Sequence, residues 1–99
     1  LTKKTYPVYE EIDGRLYVNI AGLKPKDIAL LLLYFSYPER LERSALVQSV
    51  ERHGTTKSAA TSAVHRLKSL VDEKNGHWKL RNIGKTEAEA LLKASGNTS

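Results

Sequence analysis

The sequence predicts a mainly α fold with a small β component, an α+β domain spanning residues 1–99. Three observations carry this expectation. Apolar residues recur at helical spacing in four separate segments. Asp13-Gly14 and Asn75-Gly76 each stand between short alternating segments, the signature of a two-residue hairpin turn. The length suffices for one modest core without staples, and the absence of Cys excludes disulfides and thiolate metal sites.

The first hairpin is expected over residues 6–20. Asp13-Gly14 supplies the positive φ that a type I′ turn needs. A two-residue loop pairs Glu11 with Leu16, Tyr9 with Val18 and Pro7 with Ile20. Tyr9, Leu16, Val18 and Ile20 then share one face that can pack on the helices. Leu1 to Thr5 is expected to fray. Ala21-Gly22 breaks the chain, and Pro25 suits the first turn of a helix running to about Tyr37. Ile28, Leu31, Leu32 and Phe35 form one face of that helix. Ala29, Leu30, Leu33 and Tyr34 leave it almost no polar side, so it is expected to be central or to lie under a partner. Tyr34, Phe35 and Tyr37 are assigned to the core. Pro38 ends the helix. A second helix is expected from Ser44 as N-cap, with Leu46, Val47 and Val50 inward and Gly54 as its left-handed stop.

The third helix is expected over about residues 57–69, capped by Thr55, Thr56 or Ser58. At 100° per residue, Ala60, Ala63, Val64, Leu67 and Val71 fall in one apolar arc. Ser58, Thr61, Ser62, His65, Arg66 and Ser69 lie opposite, with Lys68 at the border. The second hairpin is expected over about residues 70–81, pairing Val71 with Leu80, Asp72 with Lys79, Glu73 with Trp78 and Lys74 with His77. Lys74, His77 and Lys79 then share a face. A last helix opens on Thr86 and Glu89 as a capping box and buries Ala88, Leu91 and Leu92, before Gly96 and a polar tail.

Charge is unevenly placed. The chain carries a net +5, yet residues 1–50 hold seven Lys/Arg against six Asp/Glu. The window from Arg52 to Lys85 holds eight basic residues against Asp72 and Glu73, a net of +6. Basic charge on one helix and one hairpin is the footprint of a nucleic-acid binder, though a solvated face has the same composition. The longest apolar run, Ile28 to Phe35, is eight residues. That is far short of the ~20 needed to cross a bilayer, so no membrane partner is expected. With no Met and a first residue of Leu1, the chain is expected to be a piece of a longer protein or a processed one.

The run SALVQSVERHGTTKSAATSAVHRLKSL, followed by VDEKNGHWKL and GKTEAEALL, resembles the winged helix-turn-helix superfamily of DNA-binding domains. The resemblance covers residues 24–94 and leaves the first hairpin as an extension. It implies that the third helix enters the major groove of double-stranded DNA while the second hairpin, the wing, grips the backbone. Phosphate contacts are then expected from Arg52, Thr55, Thr56, Lys57, Lys79 and Arg81, supported by Lys68, Lys74 and His77. Base contacts are expected from Ser58, Thr61, Ser62, His65 and Arg66, with Arg66 able to hold guanine in bidentate fashion. Short hydroxyl side chains on a helix lower its intrinsic stability, which favours a contact role over a solvent-facing one.

Other chemistry is not expected. His53, His65 and His77 fall on different elements with no ligand-like companions, so no metal and no cofactor is predicted. Glu10-Glu11 and Glu39 with Glu42 read as surface carboxylates. No phosphate-cradling loop or nucleophile constellation occurs, so the chain is not expected to be an enzyme. Trp78 is assigned either to packing on the hairpin or third helix, or to the DNA sugar-phosphate wall. The resemblance implies a transcriptional regulator or the DNA-docking module of a larger replication, partition or mobile-element protein. It would be cytoplasmic or nucleoid-associated, or nuclear in a eukaryote. The competing class is a protein-interaction or homodimerisation module built on the first hairpin and first helix.

Overall fold

The computed structural model describes residues 9–13, 15–19 and 22–94. The chain is α+β. In order it forms β1 (Tyr9–Ile12), β2 (Arg15–Val18), α1 (Pro25–Ser36), β3 (Leu41–Glu42), α2 (Arg43–Glu51), α3 (Lys57–His65), a 3₁₀ turn (Lys68–Leu70), β4 (Val71–Lys74), β5 (His77–Leu80) and α4 (Asn82–Ala94). β1 and β2 make a separate two-stranded sheet, while the other three strands form an antiparallel sheet in the order β3-β5-β4.

Both hairpins keep the register that their turns dictate. Tyr9 faces Val18 and Glu11 faces Leu16 across β1 and β2. Val71 faces Leu80, Asp72 faces Lys79, Glu73 faces Trp78 and Lys74 faces His77 across β4 and β5. Asp13 and Asn75 take φ of 53° and 54°, the left-handed conformation that Asp and Asn tolerate best after Gly. The Pro7–Ile20 pair, the Leu1 to Thr5 segment expected to fray and the tail from Gly96 lie outside the described residues.

α1 is the hub. It packs against β2, α2, α3, α4 and β5. Ile28 and every residue from Ala29 to Leu33 are buried, so the helix has no polar side because its own chain surrounds it. Leu46, Val47 and Val50 come in from α2, Ala60 and Val64 from α3, Leu67 and Leu70 from the segment after it, and Trp78 and Leu80 from β5. The first hairpin joins this core through Val18, and Tyr9 stacks on Phe35 at 4.4 Å. His53 fastens it. The Val18 N–H donates to Nε2 at 2.9 Å, which leaves Nδ1 as the protonated nitrogen, donating to the Ser49 carbonyl at 2.7 Å.

Four expectations need correction, and one strand was not expected. Leu41–Glu42 is a strand, recruited by pairing Leu41 with Trp78 and Glu42 with His77. Two residues carry no periodicity, so only the neighbouring strand reveals them. α2 starts at Arg43 with Glu42 as N-cap, and Ser44 lies inside it. α3 ends at His65, with Arg66 as C-cap and Lys68 on the 3₁₀ turn, so the helix stops four residues short of position 69. α4 starts at Asn82, ahead of the supposed capping box. There the Thr86 hydroxyl donates back to the Asn82 carbonyl at 3.1 Å, and Glu89 accepts from the Tyr34 hydroxyl at 3.1 Å. Tyr37, assigned to the core, is 39 % exposed.

Candidate nucleic-acid interface

α3 is a ridge with one dry face. Thr56 caps it, accepting from the Ala59 N–H at 3.2 Å. Ala60, Ala63 and Val64 are buried against α1 and α2. Lys57, Ser58, Ala59, Ser62 and His65 are exposed and Thr61 is half-buried. Small inward residues let α3 sit close to α1, and small outward ones leave a low ridge. At 1.5 Å per residue the nine residues extend about 13 Å, or roughly four base pairs of duplex.

Two shallow grooves flank the ridge. One, about 400 Å³, runs between α2 and α3 and is lined by Arg43, Ser44, Gln48, Glu51, Lys57 and Thr61. The other, about 540 Å³, lies against the start of α1. Lys24, Lys26 and Arg66 line it with Asp27, Ala59 and Ser62. Each groove thus holds more cations than carboxylates. The tip of the second hairpin adjoins the first groove, because the Arg43 N–H donates to the Gly76 carbonyl at 3.0 Å. Hairpin tip, α2 start and α3 start therefore form a continuous surface.

The remaining predicted cations lie elsewhere. Strand alternation puts Asp72, Lys74, His77, Lys79 and Glu42 on the outer face of the sheet. His77 Nδ1 donates to the Asn75 carbonyl at 3.0 Å within the hairpin tip. Arg40 spans the sheet edge. It donates to the Asp72 carboxylate at 2.6 Å and to the carbonyls of Asp72 and His77 at 2.9 and 3.2 Å. The Arg40 hydrogen bond is the main reason the Asp72 carboxyl is held below its usual range, with Arg81 and Lys79 adding to the field. Lys79 is half-buried, its ammonium 5.2 Å from the Tyr37 ring centroid, and Lys85 comes to 4.0 Å. These lysines, Lys85 foremost, pull the Tyr37 phenol below its usual range.

The expected interface therefore divides. Lys57, Ser58, Thr61, Ser62, His65 and Arg66 share the α3 ridge and its grooves. Lys79 gathers instead with Lys85 at Tyr37, and Arg81 acts on Asp72. Arg52 caps α2 and reaches Ser49 Oγ at 3.2 Å, and Thr55 is half-buried in the turn beside Gly54, whose φ of 95° turns the chain. Lys68 is exposed on the 3₁₀ turn. Trp78 is corrected from a possible DNA contact to core, being 2 % exposed. Its inward position follows from pairing with Glu73 on the face opposite His77 and Lys79.

Lys24, Lys26, Arg43, Tyr37 and Lys85 are the site residues that sequence reasoning missed. Pro25 at the first helical position marks Lys24 as the N-cap, and that was the available signal for the α1 groove. Tyr37 had none, since an aromatic next to an apolar helix reads as core. No helix among the described residues is long and apolar enough to cross a membrane. No family model, curated protein or solved structure matches this chain.

Proposed function

We propose that this chain is a double-stranded DNA-binding module of winged helix-turn-helix type. α3 enters the major groove and the tip of the β4–β5 hairpin lies on the neighbouring backbone. The observation that carries this is the α3 ridge. Its inner face is dry, its outer face holds short hydroxyls and His65, and both flanking grooves present cations. The element order from α1 to β5 and the β3-β5-β4 sheet support the same reading. Lys57 and Arg43 meet one phosphate strand; Arg66, Lys24 and Lys26 meet the other. Ser58, Thr61, Ser62 and His65 face the base edges. Transcriptional regulation, or DNA docking for a larger protein, is the role this implies.

A titration against duplex at about 50 and 200 mM salt tests the reading. Affinity should fall steeply with salt, and Lys57→Ala should reduce the magnitude of the log–log slope by about 0.9 per lost phosphate contact. Arg66→Ala separates two roles. A loss of ~1–3 kcal/mol confined to a preferred site marks a base contact, and equal losses on any sequence mark a phosphate contact. Affinity that ignores salt and both substitutions would sink the proposal. The competing interaction module has less to build on, because the apolar surface of α1 is covered by its own chain. Among the described residues of the first hairpin, Tyr9 is an exposed aromatic, at 41 %, that a second copy could meet.

A further inference from the structure

We propose that the outer face of the β3-β5-β4 sheet, where it meets α4, binds single-stranded nucleic acid through Tyr37, Lys79, Arg81 and Lys85. This surface is distinct from the α3 ridge. α1 separates them, with the Lys24–Arg66 groove at its start and Tyr37 just past its end, about 18 Å away at 1.5 Å per residue.

The chemistry follows from what is paired and what is not. The acidic groups on this sheet face are Asp72 and Glu42. Asp72 is already held by Arg40 at 2.6 Å, and Glu89 on α4 is engaged with the Tyr34 hydroxyl. Among the described residues Lys79, Arg81 and Lys85 have no ion pair with a carboxylate. Two of them rest over the ring of Tyr37, which is 39 % exposed, with their ammonium groups 5.2 and 4.0 Å from its centroid in cation–π contact. The Tyr37 phenol is lowered by the same neighbours, first by a Lys85 hydrogen bond and then by the lysine charges. Cations alone suit any anionic polymer. An exposed ring among them adds a stacking platform, and only a strand with splayed bases can use it. Duplex bases are stacked on one another and do not reach this ring. On binding, the ammonium groups turn from the ring to the phosphates, and the face they vacate takes a base.

The test compares a labelled oligothymidine strand of about 12 nucleotides, within the usual site size, with a blunt duplex of the same length, read by fluorescence anisotropy. Tyr37→Ala should weaken strand binding about tenfold and leave duplex binding unchanged. Tyr37→Phe should keep strand affinity, since the ring and not the hydroxyl does the stacking. Lys79→Ala with Lys85→Ala should weaken strand binding and lower its salt slope by about 0.7 per lost contact. Lys57→Ala with Arg66→Ala should leave strand binding intact, so the result stands apart from the duplex reading. Buried Trp78 emission reports that each variant is folded. Several outcomes overturn the proposal: no loss in either the Tyr37→Ala or the lysine variant, equal loss on strand and duplex, or loss in the α3 variant. Displacement by polyglutamate as effective as by unlabelled strand also overturns it, in favour of an acidic peptide.

Discussion

The chain contains two hairpins of nearly identical local design and very different standing. Each joins two four-residue strands through an Asx-Gly turn, and the Asp13 and Asn75 φ angles differ by a degree. β4–β5 gains a third strand, and Val71, Trp78 and Leu80 are buried in it. β1–β2 stays two-stranded, and Val18 alone among its described side chains is buried. The lesson is that turn chemistry sets register but not importance. A two-stranded unit is marginal by itself. β4–β5 is held by the core it helps to build, whereas β1–β2 rests, among the described residues, on the Val18 anchor, the Tyr9–Phe35 stack, the Tyr17–His53 ring contact and the His53 imidazole bridge.

The largest test of that difference is Trp78→Ala. Emptying a site this buried should cost about 3–5 kcal/mol, a large share of an ordinary domain's stability. Urea unfolding monitored by circular dichroism should show it, and a loss under 1 kcal/mol would mean that the second hairpin is as peripheral as the first. Gly84→Ala probes the seat of the same hairpin. A Cβ there would stand 2.7 Å from the Leu70 carbonyl oxygen and 2.7 Å from Leu80 Cδ2. The backbone atom cannot swing aside, so a loss of about 1–3 kcal/mol is expected despite the better helix propensity of Ala.

His53→Ala should separate the hairpins most cleanly. It removes the acceptor for the Val18 N–H, worth about 0.5–1.5 kcal/mol because water can partly replace it. Amide exchange should rise across β1 and β2 while β4 and β5 keep their protection. Equal exchange in both hairpins would show that His53 holds the whole core and not the first hairpin alone.

The smallest effect concerns Asp72. Its carboxyl is lowered from 3.8 in the folded state, chiefly by Arg40. The unfolded chain therefore takes up this proton at the higher pH. The stabilisation is complete above the unfolded value and is lost as pH falls through the lowered folded value. Asp72→Asn should destabilise modestly near neutral pH, and the gap in urea midpoint between it and the parent should narrow as pH falls below 3.8. A gap that does not change with pH would show that the Arg40 bond to the Asp72 side chain is unimportant beside its bonds to the two carbonyls.

Hairpin register, the inward faces of α2 and α3, the apolar surround of α1 and the hydroxyl-rich outer face of α3 were legible in the residues. Each depends on a local rule: the positive φ of an Asx-Gly turn, or the period of a helix or strand. The ends of α3 and α4 were not legible. Thr86 and Glu89 match a capping box, yet the helix continues back to Asn82 because Gly84 lets α4 close on Leu70 and Leu80. Arg66 and Lys68 continue the helical pattern, yet α3 gives way to a 3₁₀ turn that presents Leu67 and Leu70 to the core.

The candidate site divides along the same line. Which residues could bind an anion is a matter of side-chain chemistry, so Lys57, Ser62, Arg66, Lys79 and Arg81 could be chosen from composition and spacing. Which of them act together depends on contacts between residues far apart in the chain. Tertiary packing set Lys24 beside Arg66, tied Gly76 to Arg43, turned Trp78 inward through its pairing with Glu73, and brought Lys79 and Lys85 onto Tyr37. Local periodicity determines the face on which a side chain stands. Only the packing of one element on another determines what that face meets.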